Sequence, residues 1–256
     1  MQSTERVARI RSIFGGTAPF YDEIVDEATR GEDRLWKERM LSKLGRPRRV
    51  LDLACGTGIL LFMIRDRFPA TRVVGLDISE EYLDRARARA RDRRDDGVEF
   101  VIGAAEELDV PETFDAVTSC YLPKYASLSL LVSRLGRKLE RGARLVMQDF
   151  DYPERPDVRA VWEARFESLR HWARASRPEA ERMMTLLPGI IREARWSRDL
   201  PELLVREGFS DVTLERLSFG TSSIVSARWK PTGPGGEPPP RPSRLRALTP
   251  TASQGG

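Results

Sequence analysis

Asp52, Gly56, Gly58 and Asp77 are the residues whose types and spacing point first to chemistry. In Val50-Leu51-Asp52-Leu53-Ala54-Cys55-Gly56-Thr57-Gly58-Ile59-Leu60, a β-branched, apolar start gives way to small residues and then to an apolar helical pattern. That order describes a buried strand turning tightly into a helix, with the backbone left open to a ligand. An unpaired carboxylate inside such a strand is costly, so Asp52 calls for a compensating partner. A dinucleotide site wants a third glycine in the spacing G-x-G-x-x-G, and Ile59-Leu60-Leu61 does not supply it. The D-x-A-x-G-x-G run of Asp52, Ala54, Gly56 and Gly58 suits instead a nucleoside carrying an amino-acid tail. Asp77 comes about 20 residues later at the end of a second strand, where a carboxylate can accept both ribose hydroxyls. Ile78 beside it is placed to lie against a purine face.

The elements that must hold these groups follow from periodicity. Val7, Ile10 and Ile13 predict a short helix over 1–13, and the glycine- and aromatic-rich segment 14–22 suits either a simple capping loop or a lid over a pocket. A helix is expected over 22–44, with Leu35, Trp36, Met40, Leu41 and Leu44 as its apolar face and Gly45 and Pro47 ending it. Strands at 50–53, 72–77, 98–102, 114–119 and 144–148 alternate with helices at 59–68, 80–94 and 128–139. Ser79 is the expected N-cap of the second of these, and Arg141-Gly142 closes the third. This rhythm predicts an α/β fold with a Rossmann-like, doubly wound, mainly parallel sheet. A helical insertion over 155–196, broken at Pro178 and Pro188, interrupts it. Trp162, Phe166, Trp172, Met183, Met184, Leu186, Leu187, Ile190 and Ile191 there are candidates to wall an apolar pocket. A helix at 197–207 and a terminal antiparallel strand pair at 212–217 and 224–228 complete the core. The expected division is a helical cap or lid (1–48), a cofactor-binding core (49–154), the insertion over the acceptor site (155–196), a completing helix and strand pair (197–230), and a Pro-, Gly- and Arg-rich tail (231–256) that reads as disordered.

Composition narrows the class. Forty-three Lys and Arg against 39 Asp and Glu leave a net charge of +4, and the arginines are interleaved with acids. That mixture is the pattern of a solvated surface, so no nucleic-acid partner is expected. There is no apolar run of about 18 residues to span a bilayer, and the N-terminus does not read as a signal peptide. Cys55 and Cys120 lie far apart in no metal-like spacing, so a cytoplasmic location without a bound metal is expected.

Asp52 to Gly58, Gly75-Leu76-Asp77-Ile78-Ser79 and Ala104-Ala105-Glu106-Glu107-Leu108 resemble class I S-adenosylmethionine-dependent methyltransferases. Ile13-Phe14 with Ala18-Pro19 and Tyr21-Asp22, and Gly31 followed by Arg34-Leu35-Trp36-Lys37, more specifically resemble the ubiquinone/menaquinone biosynthesis C-methyltransferases. The resemblance implies S-adenosylmethionine as cofactor, with Thr57 and the backbone of Cys55, Gly56, Thr57 and Gly58 by its methionine part and Asp77 by its ribose. It implies that Ala104 and Ala105 edge the adenine, although the family usually carries Asp or Asn at the position of Ala104. Cys120, with Ser119 as the alternative, then stands near the methionine end, and Asp52 meets the cofactor's ammonium.

The implied acceptor is a small apolar or aromatic molecule, foremost a demethylmenaquinol-like ring methylated on carbon. Such a ring becomes nucleophilic on losing a phenolic proton, for which Tyr21, Tyr121 and Lys124 are the candidate catalytic groups, with Asp22 and Tyr125 nearby. The family reads F-G-L-R-N where this chain has Tyr121-Leu122-Pro123-Lys124-Tyr125, so Lys124 and Tyr125 replace Arg and Asn. The alternatives are methylation at oxygen, nitrogen or carbon of another apolar small molecule of secondary metabolism, and a cyclase or binding protein that keeps the cofactor structurally. His171, the one histidine, reads as an ordinary helix-face residue. Peripheral membrane contact through the insertion and a homodimer both remain open.

Overall fold

Apolar segments pair into one seven-stranded sheet whose central strands bury side chains on both faces. The computed structural model describes residues 3–108, 110 and 112–230. The strands β1 (Arg49–Leu53), β2 (Arg72–Asp77), β3 (Val98–Ile102), β4 (Phe114–Cys120) and β5 (Leu139–Phe150) are mutually parallel. β7 (Ser222–Trp229) runs antiparallel between β5 and β6 (Phe209–Leu217), giving the order β3-β2-β1-β4-β5-β7-β6. Val50 faces one core layer, built with α3 (Glu32–Leu44), α4 (Ile59–Arg67) and α5 (Glu80–Arg93). Leu51 and Leu53 face the other, built with α6 (Leu128–Leu135) and α9 (Trp196–Arg206). The doubly wound sheet and its terminal antiparallel strands therefore stand as the periodicity predicts.

A third cluster lies apart from the sheet. Ile13 of α1 (Ser3–Phe14) and Ile24 of α2 (Tyr21–Thr29) pack with Trp162, Phe166 and Leu169 of α7 (Pro156–Ser176) and with Met183, Met184 and Leu187 of α8 (Pro178–Glu193). The N-terminal helices and the insertion thus share one apolar core.

Several boundaries differ from expectation for local reasons. The single helix expected over 22–44 is two, because Arg30 and Gly31 both take left-handed conformations, with φ of 52° and 76°. Leu35 does not join the apolar face of α3 but stands 63% exposed. The helix expected to reach residue 139 stops at Leu135, and Leu139 with Arg141-Gly142 belongs to β5. Pro178 opens α8 at its first turn, where the missing N–H is not needed, and Pro188 sits inside that helix without breaking it. Ser79 holds the extended N-cap position of α5, but its hydroxyl makes no capping bond. The expected disorder of 231–256 falls outside the described residues.

The turn from β1 into α4 is sterically tight. Gly58 has φ of 86°, and a methyl group there would lie 2.7 Å from the Phe62 ring. Replacing Gly58 by Ala is expected to lower unfolding stability by about 1–3 kcal/mol, read by denaturant titration; an unchanged midpoint would contradict this packing.

Candidate functional site

The C-terminal ends of β1, β2 and β4 open a crevice, and strand register decides which groups meet there. Asp52 pairs in register with Gly75 of β2 and Thr118 of β4. Thr118 Oγ1 consequently donates to Asp52 Oδ1 at 2.7 Å. Asp52 is 1% exposed, and its Oδ2 has no hydrogen-bond partner among the described residues. Burial pushes its pKa up to about 7 against the opposing Thr118 bond and the Lys37 charge. Ala54, next along, carries φ of 54°, a left-handed turn that swings the loop toward β2. Gly56 N then donates to Asp77 Oδ2 at 2.8 Å, and Ser79 N to Asp77 Oδ1 at 2.9 Å. A carboxylate offers about four acceptor positions, so acceptor capacity is left for a ligand hydroxyl. Burial raises the Asp77 pKa although the N–H groups of Ser79 and Gly56 oppose it.

Three cavities adjoin. The largest, about 850 Å³, is lined by Ala54, Gly56, Asp77, Ile78, Ala105 and Cys120 from the sheet, roofed by Val7, Ile10 and Phe14 of α1. A second of about 340 Å³ is lined by Lys37, Asp52, Cys55, Thr57 and Cys120. A third of about 370 Å³ is lined by Ile24, Phe150, Lys124, Met183, Met184 and Leu187 and is almost wholly apolar. Tyr21 and Tyr121 line all three.

The roof is latched by polar contacts. Arg11 donates to the Ile78 carbonyl through Nε and Nη2 at 3.0 and 2.8 Å. Thr17 and Tyr82 share a hydroxyl contact of 2.6 Å, and Thr57 Oγ1 donates to Asp22 Oδ1 at 2.5 Å. Of the 14–22 segment, Phe14 and Tyr21 line the largest cavity.

Tyr121 has φ of 63°, a strained conformation for a bulky residue, and is fixed by stacking on Phe150 with ring centroids 4.9 Å apart. Its hydroxyl donates to Asp33 Oδ1 at 2.6 Å, and Asp33 is also paired with Lys37. Burial holds the Tyr21 and Tyr121 phenols protonated well above the usual range. Lys124 forms a fully buried ion pair with Asp149 at 2.7 Å and also donates to the Tyr121 carbonyl. Burial lowers its pKa and Asp149 counteracts that.

Of the residues singled out in the sequence, Asp52, Ala54, Cys55, Gly56, Thr57, Asp77, Ile78, Ala105, Cys120, Tyr21, Tyr121 and Lys124 line these cavities. Gly58, Ala104 and Ser119 line none of the three. Gly58 serves the packing of α4, and Ser119 turns its hydroxyl to the Leu53 carbonyl at 2.9 Å, leaving Cys120 at the cavity wall. From the insertion, Met183, Met184 and Leu187 wall the third cavity, whereas Trp162, Phe166 and Ile191 are core. His171 is exposed on α7 and its Nδ1 lies 2.9 Å from the Glu167 carbonyl. Asp33 and Asp149 carry no mark in the sequence analysis, and Lys37 enters it only within the family-like segment. Their signal was a charge on an apolar stripe: Lys37 shares its helix face with Met40, Leu41 and Leu44, all buried.

Comparison with known proteins agrees with this geometry. A family described as "Methyltransferase domain" matches residues 50–142. The chain is 30% identical over 234 residues to the ubiquinone/menaquinone biosynthesis C-methyltransferase of Methylobacterium nodulans, covering 88% of this chain and 92% of that one. It is 31% identical over 218 residues to the demethylmenaquinone methyltransferase of Thermus thermophilus, covering 83% and 97%. The fold is shared with magnesium protoporphyrin IX methyltransferase from Synechocystis, with a TM-score of 0.62, 18% identity, and coverage of 87% and 99%.

The buried Asp52 carboxylate makes stability depend on pH. In the folded chain it holds its proton to about pH 7, while in the unfolded chain it releases it near the usual value of 3.8. The native state binds more protons between these limits, so this group's contribution falls as pH rises from 4 to 7. Asp52→Asn is expected to abolish that fall and to stabilise the ligand-free protein at pH 8 by an amount on the order of 4 kcal/mol at most. Denaturant unfolding at pH 5 and pH 8 checks this; equal slopes in both proteins would contradict it.

Proposed function

The chain belongs to the ubiquinone/menaquinone biosynthesis C-methyltransferase family, and on that premise we propose that it methylates a ring carbon of a reduced, demethylmenaquinol-like quinone precursor. Its methyl donor is S-adenosylmethionine. The observation that carries the reading is the convergence of three cavities on Tyr21 and Tyr121. On this reading Asp77 would hold the ribose diol, Ile78 and Ala105 would flank the purine, and Cys120 would stand beside the methionine part, all at the large cavity. In the second cavity the bare Asp52 oxygen would take the ammonium of the amino-acid tail, with Thr57 alongside. The apolar ring enters the third, between Phe150 and the methionines of α8.

The cofactor supplies a methyl carbon already activated by its sulfonium, so alignment and the exclusion of water carry most of the acceleration. Tyr21 and Tyr121 close the junction and hold ring and methyl in line. The acceptor's phenolic proton passes to Tyr121 as Tyr121 passes its own to Asp33, which already accepts that hydroxyl. The Lys124 ammonium favours negative charge on the ring oxygen. After methyl transfer the Asp33 proton returns to that oxygen, and the hydrogen on the methylated carbon leaves as the one proton released. Two features support a small phenolic acceptor other than a menaquinol precursor as the second reading. Lys124 stands where the family has Arg, and its ammonium is already bonded to Asp149 and the Tyr121 carbonyl.

Incubation with methyl-labelled cofactor, demethylmenaquinol and a panel of other phenols tests this. Label in the quinol with equimolar demethylated cofactor is the expected result. Label in another phenol alone moves the assignment to the second reading. No demethylated cofactor with any acceptor would overturn both, in favour of a cyclase or binding role. Tyr121→Phe is expected to lower kcat by about 10²–10⁴-fold with the cofactor Kd unchanged by calorimetry; an unaltered kcat would remove Tyr121 from the proton path.

A further inference from the structure

The second cavity holds one acidic and one basic side chain, and only the acidic one has been given a ligand partner. Among the residues lining it, Asp52 and Lys37 are the charged ones. Lys37 is 2% exposed, which is rare for lysine and requires a fixed counter-charge. It has one, Asp33 one turn earlier on α3, yet an ammonium carries three N–H donors. Asp33 Oδ1 is the hydrogen-bond partner found for it among the described residues. Its charge also reaches inward, since it lowers the pKa of both Asp52 and Cys120, two residues of this cavity. The same cavity is lined by Thr57, Ile59 and Leu60, the N-terminal end of the nine-residue α4, where the helix presents free N–H groups and positive potential.

We propose that Lys37 binds the α-carboxylate of the cofactor's methionine tail, so that Asp52 and Lys37 together form a zwitterion clamp. This rests on the cofactor reading above. Asp33 is the positioning residue of the clamp. It holds the Lys37 ammonium against the cavity wall, and through the same oxygen it receives the Tyr121 hydroxyl. The Lys37 ammonium lies 5.0 Å from the centre of the Tyr121 ring. Tail recognition and the orientation of Tyr121 therefore share one carboxylate.

The test compares S-adenosylmethionine with decarboxylated S-adenosylmethionine, which lacks only that carboxylate, by calorimetry on the full chain. The wild type is expected to bind the first about 10- to 100-fold more tightly, the range of a charge-assisted hydrogen bond. Lys37→Met is expected to bind the two alike. Asp52→Asn, which faces the ammonium present in both ligands, is expected to weaken both and keep their ratio. Removing Lys37 alone leaves Asp33 buried and unpaired, which can compromise folding. The double variant Asp33→Asn/Lys37→Met avoids this and is expected to show the same loss of discrimination. A preference for the carboxylate that survives in either Lys37 variant overturns the assignment, as does a wild type that binds both ligands equally. A wild type that binds neither ligand overturns the cofactor reading itself, and the inference with it.

Discussion

A carboxylate buried in the middle of a sheet with one oxygen bonded and the other bare is the constraint around which this site is arranged. Asp52 sits in the central strand, opposite Thr118, which satisfies Oδ1 and fixes the direction of Oδ2. Desolvation outweighs the Thr118 bond and the Lys37 charge and raises its pKa to about 7, so the ligand-free protein holds a group poised between its charge states. A cationic ligand group at Oδ2 resolves that, because the charged form then gains a partner that burial had denied it. The neighbouring geometry follows from the same strand end. The left-handed Ala54 turns the loop, Gly56 is tied to Asp77, and α4 begins where a Cβ at Gly58 would strike Phe62.

The second requirement is a dry place for methyl transfer, and the sheet does not provide it alone. The N-terminal helices and the insertion share an apolar core of Ile13, Ile24, Trp162, Met183 and Met184, and both supply walls to the third cavity. Arg11, Thr17 and Asp22 latch that assembly to Ile78, Tyr82 and Thr57. Tyr21 comes from the assembly and Tyr121 from the end of β4, so the junction exists only when the two halves of the fold are docked. The strained backbone at Tyr121 is held by stacking on Phe150 and by the Asp33 bond.

The sheet and the loop were legible because strands announce themselves by apolar runs, and small residues mark where a backbone must turn. Asp77, Gly56 and Cys120 could be placed from spacing and family resemblance, since the β-α rhythm fixes which strand ends meet. Boundaries were less legible where one residue decided them. Arg30 in a left-handed conformation splits a continuous helical pattern, and a proline inside α8 reads as a break although that helix continues. Least legible were Asp33, Lys37 and Asp149. Their significance depends on partners far along the chain, Tyr121 for Asp33 and Lys124 for Asp149, and on burial that composition does not reveal.

On the proposed reading, one ligand spans two of the cavities and presents its sulfur where Tyr21 and Tyr121 meet. A crystal structure with S-adenosylhomocysteine, the demethylated cofactor, tests it most directly. Ribose hydroxyls on Asp77, the α-ammonium on Asp52 Oδ2 and the sulfur facing Tyr21 and Tyr121 are the predicted result. A ligand seated elsewhere, or one whose sulfur points away from the cavity walled by Phe150, Met183 and Leu187, would contradict it.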